Sequence, residues 1–150
     1  MIADALLAYL HYTAVFIAFA FLSVEVMLAR QDIDARAARL LARCDRWYLG
    51  AALTVLITGL ARVFWGVKGV EYYSGNWLFW AKLALFVAVV LMSIAPARAF
   101  VRWSRAALAN ADYMAGAPEQ RRIRRILMIE LHLLALLPLA AVFMARGAGM

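Results

Sequence analysis

Residues 77–97 read WLFWAKLALFVAVVLMSIAPA, and the only charged side chain in this run is Lys82. A helix of roughly 20 apolar residues crosses the hydrocarbon core of a bilayer. Similar runs lie at about 5–28, 47–67 and 123–145. Because lipid offers no hydrogen-bond partner to an open backbone, each run should be helical. The sequence therefore predicts an all-α membrane protein, with residues 1–150 forming one domain as an up-down bundle of four transmembrane helices.

The overall composition supports this interpretation. Hydrophobic residues make up 67% of the chain and the mean hydropathy is +0.80, whereas soluble chains are about half apolar. The apolar runs are continuous and do not alternate with polar residues, which disfavours a β-barrel. The N-terminal segment lacks a basic region and a small-residue cleavage motif, so it reads as a retained helix.

The positive charges indicate an orientation in the membrane. Five arginines lie in 30–46 and seven in 98–125, whereas the loop between the second and third spans carries only Lys68 and only Arg146 follows the last span. The positive-inside rule places both Arg-rich loops in the cytoplasm and both termini outside, as in a multi-pass protein of a bacterial inner membrane. The expected partner of these arginines is membrane lipid and not nucleic acid.

Smaller features predict how the spans begin and end. The segment 31–47 should form a helical extension or a short interfacial helix, capped by Asp32 or Asp34. Pro118 suits the first turn of the last helix. Pro96 is expected to end or kink the third helix. The single cysteine, Cys44, belongs to no metal or redox motif.

Ionisable residues inside the spans are costly and commonly mark function. At about 1.5 Å of rise per residue, they form two groups. The outer group lies toward the termini and contains His11, Arg62 and Lys82. The inner group lies toward the Arg-rich loops and contains Glu25, Glu130 and His132, with Glu25 expected to pair with Arg124 or Arg125.

The outer group favours a flat, apolar ligand with carboxylates, and haem b is such a molecule. His11 would be the axial ligand to iron, and Arg62 and Lys82 would pair with the propionates. Trp77 and Trp80 would form walls of the pocket. The alternative is that both cations extend to the interface and the tryptophans belong to an aromatic belt.

His132 is the second candidate iron ligand. Its depth differs from that of His11 by about 12 Å along the helix axes, which disfavours one haem held by both residues. His132 could instead ligate a second site, pair with Glu25 or Glu130, or serve as a hydrogen-bonded packing residue. A copper site is less favoured, because the methionines form no tight cluster.

Four segments carry a resemblance to known families: LAYLHYTAVFIAFAFLSVEV, CDRWYLGAALTVLITGLARVFWG, GNWLFWAKLALFVAVVLMS and HLLALLPLAAVFMARG. Along almost its full length, the chain resembles a bacterial family of small membrane proteins catalogued as domain of unknown function 2214. That resemblance implies a membrane-spanning protein and no particular activity.

More distantly, the layout is similar to HemJ, a haem b-binding protoporphyrinogen oxidase, and to the CopD membrane proteins. His11 and the stretch from Trp77 to Lys82 occupy similar places to residues of HemJ, but Trp80 stands where HemJ has a histidine. The resemblance implies a haem b-binding protein with a redox role. A HemJ-like porphyrinogen oxidase, or a haem-free accessory subunit or small transporter, remains as an alternative. A homo-oligomer or a membrane redox partner is possible in each case.

Overall fold

A computed structural model of the chain describes residues 2–67 and 69–149, so the predicted loop charge Lys68 lies outside the described residues. The described part contains helices and no strand: α1 (Ile2–Leu28), α2 (Ala35–Trp65), α3 (Gly69–Ser74), α4 (Trp77–Ala109) and α5 (Ala117–Ala145). All except the short α3 are long and apolar enough to cross a membrane. The predicted all-α fold with four transmembrane helices is confirmed.

The four long helices form a ring of neighbours. α1 packs against α2 and α5, and α4 packs against the same two helices. The Trp77 N–H donates to the Gly149 carbonyl at 3.3 Å, which brings the C-terminal segment to the start of α4. The first turns of α1 lie at the same end, because His11 contacts Thr58 and Gly59 near the end of α2. We call this the Arg-poor end. The opposite end, with segments 30–46 and 98–125, is the Arg-rich end.

Three helices extend beyond the predicted spans at the Arg-rich end. α2 begins at Ala35, where the Asp34 carboxylate accepts a hydrogen bond from the Ala37 N–H at 2.7 Å. This confirms the predicted helical extension and its cap. α4 continues to Ala109 with Pro96 inside it, so of the two expected effects of Pro96, an end or a kink, the end of the helix does not occur. α5 begins at Ala117 with Pro118 in its first turn, as predicted.

The best-packed part of the bundle lies toward the Arg-rich end. The largest fully buried side chains there include Trp103, Phe100, Leu41, Ile33 and Leu127. Many large apolar side chains on the outer faces of the spans are exposed, which is the arrangement expected of surfaces that contact lipid. Toward the Arg-poor end the helices leave a cavity between them, and this cavity holds the candidate site.

Candidate ligand-binding pocket

A cavity of about 210 Å³ lies among the helices in the Arg-poor half of the bundle. Its walls are mainly apolar and come from all four long helices, with two tyrosines from α3. His11 of α1, Arg62 of α2 and Lys82 of α4 all line it. The structure thus brings together the three residues that their depth along the helices predicted to share a layer. We call this cavity the cationic pocket.

His11 is held in place by α2. Its Nδ1 lies 2.9 Å from the hydroxyl oxygen of Thr58, a buried side chain. The same hydroxyl donates a hydrogen bond to the carbonyl of Thr54 at 2.6 Å. The hydroxyl hydrogen of Thr58 is therefore engaged in this bond, so the Thr58 oxygen accepts a hydrogen bond from Nδ1–H of His11. In a neutral imidazole this leaves Nε2 with a lone pair that can bind a metal or a proton.

Gly59 makes this contact between α1 and α2 possible. A Cβ at position 59 would lie 3.3 Å from Cε1 and 3.7 Å from Nδ1 of His11. Such an approach is tighter than nearly all real contacts of a Cβ atom. The absent side chain lets the imidazole lie against α2 and reach Thr58.

The pocket has a positive electrostatic character. Arg62 and Lys82 are half-buried, and no carboxylate lines the cavity within the described residues. Within residues 2–67 and 69–149, the only ion pair joins Arg102 and Glu119 at the Arg-rich end. Arg62 instead lies over the ring of Tyr12, with 5.4 Å between its Cζ and the ring centroid. Two cations without an anionic partner in a mainly apolar cavity favour an anionic ligand.

Thr58→Val should test how the histidine is oriented. The valine keeps the side-chain shape but cannot accept a hydrogen bond from Nδ1 of His11. Loss of such an orienting partner typically weakens ligation by about 10–100-fold, so we expect weaker binding of haem, measured by titration of the purified protein. Thr54→Val is the matched control, because the Thr54 hydroxyl bonds only the Gly50 carbonyl of its own helix. Equal weakening in both variants would contradict the role given to Thr58.

The two tryptophans predicted as walls do not line the cavity. The exposed fractions are 65% for Trp77 and 54% for Trp80. The Trp80 indole N–H donates to the Ser74 carbonyl at 3.1 Å and so holds the end of α3. Aromatic walls come instead from Tyr12, Tyr72, Tyr73, Phe79 and Phe86. The positions of Trp77 and Trp80 are closer to the aromatic-belt alternative.

His132 also lies apart from the pocket. Its side chain is exposed on the surface of α5, and Nδ1 lies 2.6 Å from the Met128 carbonyl one turn earlier. It is not among the residues that line the cavity. The structure therefore places His11 and His132 at separate locations, and His132 is a histidine hydrogen-bonded to its own helix.

The inner polar group differs from the sequence-based interpretation. Glu25 is buried, and neither of its oxygens has a hydrogen-bond partner in the described part of the chain. The predicted ion pair of Glu25 with Arg124 or Arg125 is therefore wrong. Sequence reasoning also missed that the Tyr48 hydroxyl donates to Glu130 Oε1 at 2.6 Å. A tyrosine in an apolar run suggests packing, and only the hydrogen bond across the bundle from α2 to α5 reveals its partner.

Comparison with known proteins defines the family. Residues 3–149 match a family model described as "Predicted membrane protein (DUF2214)". No curated protein and no solved structure matches the chain. The similarity to HemJ and CopD accordingly stays a prediction. In the described residues, no three His, Cys, Asp or Glu side chains are grouped to hold a bare metal ion.

Proposed function

We propose that this chain, which belongs to the DUF2214 family of predicted membrane proteins, binds haem b in the cationic pocket and has a redox role. His11 is the proposed axial ligand, and Arg62 and Lys82 are the proposed partners of the propionates. When bound, haem would supply one-electron redox chemistry. The protein itself would orient the ligand and neutralise its carboxylates.

The observation that carries this proposal is the hydrogen bond between His11 and Thr58. A histidine that ligates iron commonly donates its other N–H to a fixed acceptor, which sets the tautomer and the ring orientation. Here Nδ1 donates to Thr58, and the hydroxyl of Thr58 is held by the Thr54 carbonyl. The preorganised lone pair on Nε2 suits haem, since the porphyrin itself would supply most of the iron's ligands and only one or two would come from the protein.

The side chains that line the cationic pocket fit haem, whereas the enclosed volume of the pocket is small for it. One imidazole, two cations and aromatic walls match an iron, two propionates and a flat macrocycle. The enclosed volume of about 210 Å³ is smaller than the roughly 300–1,000 Å³ of typical ligand sites. We therefore expect part of the macrocycle to lie in the opening of the cavity and not inside its walls.

The decisive experiment is an absorption spectrum of the protein purified in mild detergent, after expression with added haem precursor. We expect a Soret band when the protein is oxidised and a sharpened α-band after reduction with dithionite. A colourless protein that also fails to bind added hemin would contradict haem binding. The alternative of a haem-free accessory subunit or small transporter would then be favoured.

Lys82→Met should weaken haem binding while keeping the volume and apolar stem of the side chain. A charge-assisted hydrogen bond contributes about 1.5–3 kcal/mol, which corresponds to about 10–100-fold in affinity. Arg98→Met is the matched control, because Arg98 lies on the same helix but is exposed toward the Arg-rich end. Hemin titration followed at the Soret band gives both affinities. Equal affinities in the wild type and the Lys82 variant would mean that this lysine has no propionate partner.

A second candidate function is the binding of a haem-free, lipid-like carboxylate. The small enclosed volume favours it, because a single acyl chain with one carboxylate needs less space than a macrocycle. Displacement of hemin by a fatty acid would identify this case. It would be seen as loss of the Soret band, because the fatty acid itself does not absorb there. The HemJ-like alternative predicts in addition that the haem-loaded protein oxidises porphyrinogen.

The proposed setting is the inner membrane of a bacterium, with the Arg-rich end in the cytoplasm. The twelve arginines of segments 30–46 and 98–125 support this orientation through the positive-inside rule. The cationic pocket then opens in the outer half of the bilayer. A second copy of the chain in the same membrane would contact the bundle through its exposed apolar faces.

A further inference from the structure

A second group of polar side chains lies in the core, between the cationic pocket and the Arg-rich end. Glu25 of α1 is 1% exposed, Asp45 of α2 is 3% exposed and Glu130 of α5 is 0% exposed. We call these three residues the buried carboxyl cluster. The proposed haem site uses none of them, and charged side chains this deeply buried are rare unless they have partners.

Most of the oxygens on the two glutamates of this cluster have no partner. Tyr48 donates to one oxygen of Glu130, but the other oxygen of Glu130 and both oxygens of Glu25 are buried without a hydrogen bond in the described residues. An ionised carboxylate in such a place is strongly destabilised, and a bound proton removes the charge. The core around Glu25 therefore favours its neutral acid.

The titratable groups that interact electrostatically with Glu25 strengthen this conclusion. They lie on the two helices that pack against α1 and are Cys44, Asp45 and Tyr48 of α2 and Glu130 of α5. Among the residues that the structure describes, no cation belongs to this set. Asp45 and Glu130 can each carry negative charge, which repels a second negative charge on Glu25.

Tyr48 connects the cluster with the cationic pocket. Its side chain is among those that line the cavity, while its hydroxyl group is bonded to Glu130. A hydroxyl can accept one proton while it donates another, so Tyr48 occupies the position that a proton would cross between the cluster and the pocket.

We propose that Glu25 is a proton-binding site in the core of the bundle and that Glu130 and Tyr48 connect this site with the cationic pocket. The acid holds one proton at neutral pH and exchanges it, through Glu130 and the Tyr48 hydroxyl, with water that reaches the pocket. In each step one O–H bond breaks and another forms, and no electron is transferred. The inference uses none of the proposed haem partners His11, Arg62 and Lys82, and it holds whether or not the pocket binds haem.

Infrared spectroscopy of the haem-free protein in lipid bilayers tests this proposal, because protonated and ionised carboxyl groups absorb at different frequencies. At pH 7 we expect a carbonyl band of a protonated acid, and we expect Glu25→Gln to lose it. Glu71→Gln is the matched control and should retain the band, because Glu71 is exposed on α3. In D₂O the band should shift to lower frequency, and Tyr48→Phe should slow this shift.

The outcomes decide both parts of the proposal. No acid band at pH 7, or a band unchanged in Glu25→Gln, would overturn the proton site. Exchange in Tyr48→Phe at the wild-type rate would overturn the connection. If Glu25→Gln does not fold, wild-type protein labelled with ¹³C in the glutamate side-chain carboxyl answers the same question. The absence of an isotope-shifted acid band in that protein would also overturn the proton site.

Discussion

His11→Ala should abolish the Soret band, and this is the largest functional effect expected of any single substitution in the chain. His11 is the only histidine that lines the cationic pocket in the described residues. Loss of a partner that only orients a metal ligand typically costs about 10–100-fold in affinity, and loss of the ligand itself should cost at least as much. The measurement is hemin titration of the purified variant, followed by absorption before and after reduction.

His132→Ala is the matched control and should leave the spectrum unchanged. His132 is exposed on α5, with its Nδ1 against the Met128 carbonyl. Free imidazole added to the His11 variant should restore part of the Soret band, because it can occupy the space of the missing ring. Loss of the band in His132→Ala alone would place the haem on the lipid-facing surface of α5 and contradict the proposed site.

The residues of the pocket could be predicted from the sequence only in part. Helical rise converts position along a span into depth, and depth correctly grouped His11, Arg62 and Lys82. Depth says nothing about which way a side chain points around its helix. The sequence therefore could not show that the predicted walls Trp77 and Trp80 lie outside the cavity, or that His132 lies on an exposed face.

The inner group shows that depth along a span also does not determine which residues form pairs. Position along the chain favours an arginine near the interface as the partner of Glu25, because both lie toward the Arg-rich loops. The observed cluster depends instead on the packing of α1, α2 and α5, which brings Glu25, Tyr48 and Glu130 into the core. Which helices become neighbours is decided by side-chain packing over their whole length, and a single sequence contains no direct signal for it.

Trp103→Ala should destabilise the protein more than an alanine at any of the other four tryptophan positions. Trp103 is one of the largest fully buried side chains, and its indole N–H donates to Glu119 Oε2 at 3.0 Å in the first turn of α5. It lies beyond the predicted span 77–97, where we expect the solvent to be water. Removing a buried tryptophan from such a core costs about 3–5 kcal/mol.

Trp77→Ala is the matched control and should change stability by less than about 0.5 kcal/mol, because this side chain is already 65% exposed. The free energy of unfolding in detergent is the quantity to compare. Trp103→Phe should lie between the two, since it keeps much of the volume and loses the bond to Glu119.

The physical reason for this difference is the solvent around each part of the bundle. Lipid is as apolar as the helix surface, so burial of apolar side chains within the bilayer contributes little to stability. We expect the helical extensions to lie beyond the bilayer, where they bury apolar surface away from water and so carry much of the stability of the bundle. Equal destabilisation by Trp77→Ala and Trp103→Ala would contradict this division.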